Sequence, residues 1–417
     1  LIIAGTLLLP DATSERPGVR PAGGWLRTDG GRIVEVHEGG MPASFDLGGD
    51  GCVVSPGFID THMHLPQFDL IGAHGMALLD WLDRVTFPNE ARWADADYAA
   101  EMTERVIDQL LSVGTTSFAA YATVHHEATR CALGCCARRG LRAVVGQVLI
   151  DQEAPDSMLR DAGECIAETE ALLNDWPSRP EQRAGGNRVS TAVTPRFAIT
   201  CSEGLLKAAG DLARKHDAYI QTHLAEMRPE LEAVARLHGG PDYTSVYHKA
   251  GLLTPRTLLG HCIYLSDAER ALLAETGSVA SHCPTANSFL RSGTMDRKQL
   301  LDAGVSLSLG SDIGGGYERS MVRVARAMIE ATFYASPEEQ HAPSAAEAWW
   351  QATAGNADAM GWPDTGRIQE NAEADVVILR PDIPWQTAHD PLGMILFAYD
   401  DRWVKKTIVN GEVAYAQ

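Results

Sequence analysis

Between residues 53 and 312 the chain alternates short extended runs with longer amphipathic ones. The extended runs are Val53–His64, Thr115–Tyr121, Leu141–Ile150, Val189–Phe197, Ala218–His223, Thr257–His261, Ser278–His282 and Val305–Asp312, rich in β-branched or apolar residues. Between two of them, Tyr98–Val113 places Met102, Val106, Ile107, Leu110 and Leu111 on one helical face. Glu127–Arg139, Ser157–Asn174, Glu203–Lys215, Pro229–Leu237, Asp267–Thr276 and Met321–Tyr334 are also read as helices. Eight strand–helix units predict an α/β fold, a (β/α)8 TIM barrel, and such barrels carry their chemistry at the C-terminal ends of the strands.

The two ends of the chain have a different texture. Leu1–Leu9, Arg32–His37 and the later ADVVILR, VKKTIVNG and EVAYA are short β-type runs separated by turns. Neither end is expected to be stable alone. Residues 1–52 and 367–417 are therefore expected to form one small composite β-sandwich domain, with residues 53–366 as the barrel. The least regular stretches are Leu65–Trp93 and Pro177–Asn187.

Net charge is −20, with the acidic residues spread along the chain. Such a surface repels phosphate backbones, so nucleic acid is excluded as a partner and any nucleobase-like ligand is a free small molecule. No apolar run approaches the ~20 residues of a membrane span. The opening LIIAGTLLLP lacks a basic flank and a cleavage site and reads as a strand, and the absence of an initiator Met reads as a trimmed start. Eight cysteines without a CxxC pair predict a reduced, cytoplasmic chain.

Five metal-competent side chains end the predicted strands: His62 and His64 in DTHMH, His223 in QTHLAE, His261 in LLGHC and Asp312 in LGSD. On a strand, residues i and i+2 face the same side, so His62 and His64 can grip one ion. His223 and Asp312 complete three nitrogens and one oxygen, and a water in the remaining position makes an open, catalytic type of site. Such a water reaches a pKa near ~7 and yields hydroxide at neutral pH. Glu226, three residues after His223, is placed to collect the water's proton and pass it to a leaving group. His261 is read either as a fifth ligand or as the group that orients the attacking oxygen. The fourth strand closes with TPRF and offers no Lys to bridge a second metal. His125 and His126 are read as a loop pair or supporting residues, and Cys201, Cys262 and Cys283 as small core fillers.

These residues resemble the amidohydrolase superfamily, and within it the guanine deaminase family of mononuclear deaminases. PGFIDTHMHLPQF, LLDWLDRVTFPNEARW, YATVHHE, VTPRFAITCSEGLL, IQTHLAE, SHCPTANSFLRSG and LGSDIGGGYERSM carry the likeness. The resemblance implies hydrolysis of guanine to xanthine and ammonia by a metal-activated hydroxide. It implies a cytoplasmic homodimer with one zinc ion per subunit, iron(II) being the alternative for these ligands. His62, His64, His223 and Asp312 match the family's metal ligands, Glu226 its proton shuttle and His261 the histidine beside the water. Asp312 is also placed to accept a second proton. Gln67 and Arg196 match the residues that read the purine edge, with Phe197 beside the ring. Trp81 and Phe87 are candidates for a hydrophobic lid, Trp81 equally for a buried anchor. Pro284, Thr285 and Ala286 depart from the family's strand-seven motif, and Met227, Arg228 and Pro229 from its polar versions. The same chemistry on another aminopurine, on a pterin or oxidised base (isoxanthopterin, 8-oxoguanine) or on an amino-triazine is the alternative. A catalytically inactive scaffold is the alternative of another class.

Overall fold

The computed structural model describes residues 1–11, 16–179, 187–239, 242–336, 338 and 342–417. Four strands come first: β1 (Ile2–Pro10), β2 (Val19–Asp29), β3 (Arg32–Glu38) and β4 (Leu47–Pro56). The next group comprises β5 (Phe58–His64), β6 (Thr115–Tyr121), β7 (Arg142–Leu149), β8 (Val189–Ser190), β9 (Ala192–Pro195), β10 (Tyr219–Leu224), β11 (Thr257–His261), β12 (Val279–His282) and β13 (Ser306–Leu309). These pair in the order β13-β12-β11-β10-β9-β7-β6-β5, with the short β8 beside β7. The ends of that order meet, because Asp312 N–H donates to the His62 carbonyl at 2.7 Å and His64 N–H to the Ile313 carbonyl at 2.8 Å. Asn356 bridges the same seam, donating from Nδ2 to the carbonyls of Ile59 and Leu309 and accepting the Leu309 N–H. The result is a (β/α)8 barrel.

β5 and β6 are buried along their whole length, which is why such strands read as unbroken runs without alternation. Ile59, Ala119, Val144, Ala192, Tyr219, Leu258 and Val279, each from a different barrel strand, pack with Ala357, Met360 and Trp362 into an apolar floor. Polar chemistry is thereby left to the opposite mouth. Helices cover the outside. Ala96–Ser112 is capped by the Asp95 carboxylate, which accepts from the backbone N–H of Asp97 and Tyr98, and it buries Met102, Val106, Ile107, Leu110 and Leu111 as its periodicity predicts.

β14 (Val376–Leu379), β15 (Val404–Val409) and β16 (Glu412–Ala416) complete a second, seven-stranded sheet in the order β16-β15-β14-β4-β1-β2-β3. The two ends of the chain meet where β4 and β14 pair antiparallel, Val54 opposite Ile378. Ile3, Leu7, Leu26, Ile33, Val54, Val376, Ile378 and Ile408 form its apolar layer. The fold class is thus a TIM barrel with a small β-sandwich built from both ends. A buried ionic cluster ties the two together: Arg188 donates from Nη1 to Asp375 Oδ1 at 3.0 Å and from Nη2 to Glu373 Oε2 at 2.8 Å. Arg142 pairs with the same Glu373, and Asn410 N–H donates to Asp375.

Two sequence expectations change. The single strand expected over Val53–His64 is two, β4 and β5, so the chain changes sheet at Gly57, beyond the border expected at residue 52. A Cβ at Gly57 would stand 2.1 Å from Thr116 Oγ1, so the turn between the sheets packs directly on β6. Leu65–Trp93, expected to be irregular, is instead a chain of short helical turns running from Leu65–Leu70 to Ala91–Ala94. In the other irregular stretch, Pro177–Asn187, residues 180–186 lie outside the described residues.

Candidate functional site

The two-residue period of β5 aims His62 and His64 at the barrel axis, and β10 adds His223 from across the mouth. Asp312 follows β13 in a left-handed conformation (φ +49°), and His261 ends β11 likewise (φ +71°). For residues other than glycine this costs about 1–3 kcal/mol each, borne here by the strand ends that turn side chains into the mouth.

One ligand atom from each of His62, His64, His223 and Asp312 lies within 4.8 Å of the others. His64 Nε2 is 3.2 Å from His223 Nε2, and Asp312 Oδ1 is 3.3 Å from His64 Nε2 and 3.4 Å from His62 Nε2. Four ligands around one divalent ion at ~2.0–2.2 Å stand roughly 3.4 Å apart in a tetrahedron. The chemistry of the donors agrees. His223 Nδ1 faces the Arg196 carbonyl at 2.7 Å, which can only accept, so the proton sits on Nδ1 and the Nε2 lone pair points inward. Burial depresses all three imidazoles, His62 to about 4 and His223 well below its ordinary value, and so keeps them neutral ligands. Burial would raise the Asp312 carboxyl, but the adjoining His62 and His64 side chains outweigh it and hold it well below its ordinary value. The residues present fit a single metal ion.

Close packing holds this geometry. A Cβ on Gly260 would lie 2.5 Å from His62 Cε1, and one on Gly310 would lie 2.6 Å from His62 Cβ. Gly260→Ala is therefore expected to displace the His62 ring and weaken metal retention by about 10–100-fold, read by metal analysis after graded dialysis against a chelator. Unchanged retention would show that the ring moves aside without cost to the site.

Glu226 and His261 lie beside the four ligands. Glu226 Oε1 accepts from Ser292 Oγ at 2.6 Å, and its Oε2 lies 3.4 Å from His261 Nε2. Burial raises the Glu226 carboxyl despite the nearby His261. His261 Nδ1 contacts Asn287 Oδ1 at 2.8 Å, which places a proton on Nδ1 and turns Nε2 toward Glu226 and Asp312. Burial pulls the His261 imidazole down, but the carboxylates of Glu226 and Asp312 leave it raised. Glu230 Oε2 accepts the backbone N–H of Glu226 at 2.8 Å and of Met227 at 3.1 Å, fixing the turn that presents Glu226. Burial, with Glu226 nearby, pushes the Glu230 carboxyl up to about 7.

The pocket that holds these groups is also lined by Gln67, Arg196, Phe197 and Trp81. Phe87 is not among its lining residues; its ring lies 5.3 Å from Arg196 Cζ and supports the guanidinium. The sequence reading missed Glu90, which is buried, accepts from Gln67 Nε2 at 2.7 Å and receives Arg196 Nη1 at 2.7 and 3.0 Å. It lies within the VTFPNE stretch but carries no local sign of a role. Ser292, Asn287 and Glu230 were missed for the same reason. His126 reaches Gln147 at 3.4 Å and stands apart from the metal-competent group, as does His125. Cys201, Cys262 and Cys283 are buried and free. No helix among the described residues is long and apolar enough to cross a membrane.

Known proteins share this architecture. The model of the amidohydrolase family matches residues 53–414. The guanine deaminase of Escherichia coli (strain K12) is 33% identical over 377 residues, covering 88% of this chain and 83% of the relative. That of Dictyostelium discoideum is 34% identical over 371 residues, covering 85% and 81%. The crystal structure of guanine deaminase from C. acetobutylicum, with guanine bound in its active site, superposes with a TM-score of 0.90 at 28% identity and covers 99% of both chains.

Proposed function

The chain belongs to the amidohydrolase family, as do the guanine deaminases it resembles, and we propose that it hydrolyses guanine to xanthine and ammonia. The observation that carries this reading is the convergence of three imidazole nitrogens and the Asp312 carboxylate in one pocket with Glu226 and the Gln67–Arg196 pair.

His62, His64, His223 and Asp312 would hold the metal. Three imidazoles and a carboxylate suit one zinc ion per subunit, and iron(II) shares the preference. Such an ion supplies Lewis acidity that makes water nucleophilic near neutral pH. Gln67 and Arg196 bind the lactam edge of guanine and turn its amino-bearing carbon toward the ligands, while Phe197 and Trp81 pack against the ring and exclude solvent. Glu226 takes the water's proton on Oε2, the oxygen that Ser292 leaves free, and passes it to the ring nitrogen beside that carbon. His261 Nε2, 3.4 Å from Glu226 and 3.9 Å from Asp312, orients the attacking oxygen. Asp312 Oδ2 accepts that oxygen's second proton, which passes on to the amino group as the C–N bond breaks; ammonia departs, Asp312 is ionised again, and the ring keeps a carbonyl. A cytoplasmic homodimer completes the reading, the compartment in keeping with the free cysteines.

Metal-replete protein given guanine is expected to release ammonia and xanthine in equal amounts, followed by a coupled ammonia assay beside ultraviolet absorbance. Flat ammonia with the metal bound would overturn guanine as substrate. A panel of 8-oxoguanine, isoxanthopterin and amino-triazines would then locate the ring that fits.

A further inference from the structure

Glu90 takes no part in the proton transfers above, yet it is 1% exposed and its side chain engages only Gln67 and Arg196 among the described residues. A carboxylate can only accept hydrogen bonds. The end of the Gln67 amide that meets Glu90 at 2.7 Å must therefore be its NH2. That leaves Oε1, buried and without a hydrogen-bond partner, as the atom Gln67 can offer a ligand. Arg196 is committed through Nη1 alone, so Nε and Nη2 remain, and they only donate. The wall that reads the substrate thus presents one acceptor beside donors. Its complement is a ring N–H next to a carbonyl oxygen.

We propose that Glu90 is a positioning residue that sets the hydrogen-bond polarity of this wall and so restricts the substrate to aminated rings bearing an N–H beside the amino-bearing carbon. The inference deepens the guanine reading and rests on it. Without an acceptor-only partner, the Gln67 amide can turn over and present its NH2 to the ring as readily as its oxygen.

The test compares guanine with 2-aminopurine, which keeps the ring system and the 2-amino group but has a bare nitrogen in place of N1–H and a C–H in place of the neighbouring carbonyl. Wild type is expected to favour guanine in kcat/KM by at least about 10²-fold, since a wall built for an N–H leaves Gln67 unpaired against the analogue. In Glu90→Gln that preference should shrink by at least about tenfold with metal content unchanged. Glu90→Asp, which keeps an acceptor-only group, should restore most of it. A Glu90→Gln preference equal to that of wild type would overturn the proposal, because a merely structural residue lowers both substrates together. If Glu90→Gln does not accumulate as folded protein, Gln67→Met decides. A preference reduced by at least about tenfold there supports the acceptor role, and an unchanged preference removes it, and with it the role of Glu90. Wild type inactive on guanine would instead sink the underlying substrate reading, whatever the variants do.

Discussion

Glu226→Gln should lower guanine turnover by ~10²-fold or more while metal content stays at the wild-type level. Glutamine keeps the shape of the side chain and can still accept the Ser292 hydroxyl, now 2.6 Å from Oε1. What it loses is the ability to pick up a proton and release it again. The site is arranged for that cycle: burial raises the carboxyl, and His261 approaches the other oxygen at 3.4 Å. None of the four converging ligand atoms belongs to Glu226, so metal analysis of the variant separates a chemical defect from a binding defect. Near-wild-type turnover with metal bound would assign the proton transfers to another group.

A second large effect belongs to stability. Arg188→Met is expected to destabilise the protein by about 3–5 kcal/mol, the usual consequence of removing one partner from a buried ion pair. Arg188 is 9% exposed and serves Glu373 and Asp375 together. Burial alone would raise Glu373, but Arg142 and Arg188 outweigh it and hold it at about 2. Methionine fills much of the volume yet leaves Asp375, among the described residues, with only the Asn410 N–H at its Oδ1. Denaturant titration of the metal-loaded protein would measure the change. A loss below about 1 kcal/mol would mean that water or a local shift neutralises the stranded carboxylates.

The parts of the site legible in the sequence share one property: their geometry is local. His62 and His64 stand two residues apart on a strand, and that spacing alone puts both on one face. Glu226 follows His223 closely enough for its reach to be inferred. Glu90 has no such signature, because Arg196 lies 106 residues away and only the folded barrel brings them together. Asn287 and Ser292 likewise act on His261 and Glu226 across loops from different strands. The fold shows the same division. Long amphipathic helices such as Ala96–Ser112 were readable, whereas the four-residue helical turns at Leu78–Trp81 and Phe87–Glu90 are too short to display a period. β4 and β5 merged in the sequence because both are largely apolar here, and only Gly57 marks the change of sheet.

The pairing of β4 with β14 also sets a timetable for biosynthesis. β4 ends at Pro56 and its partner begins at Val376, about 320 residues later. At about 5–20 residues per second, roughly 15–65 s pass before the ribosome delivers the strand that covers that edge. Throughout the wait the nascent chain carries an open row of backbone donors and acceptors, a template for pairing with any other extended segment nearby. The whole barrel is synthesised during that interval, so its strands must find one another while the earlier edge is still open.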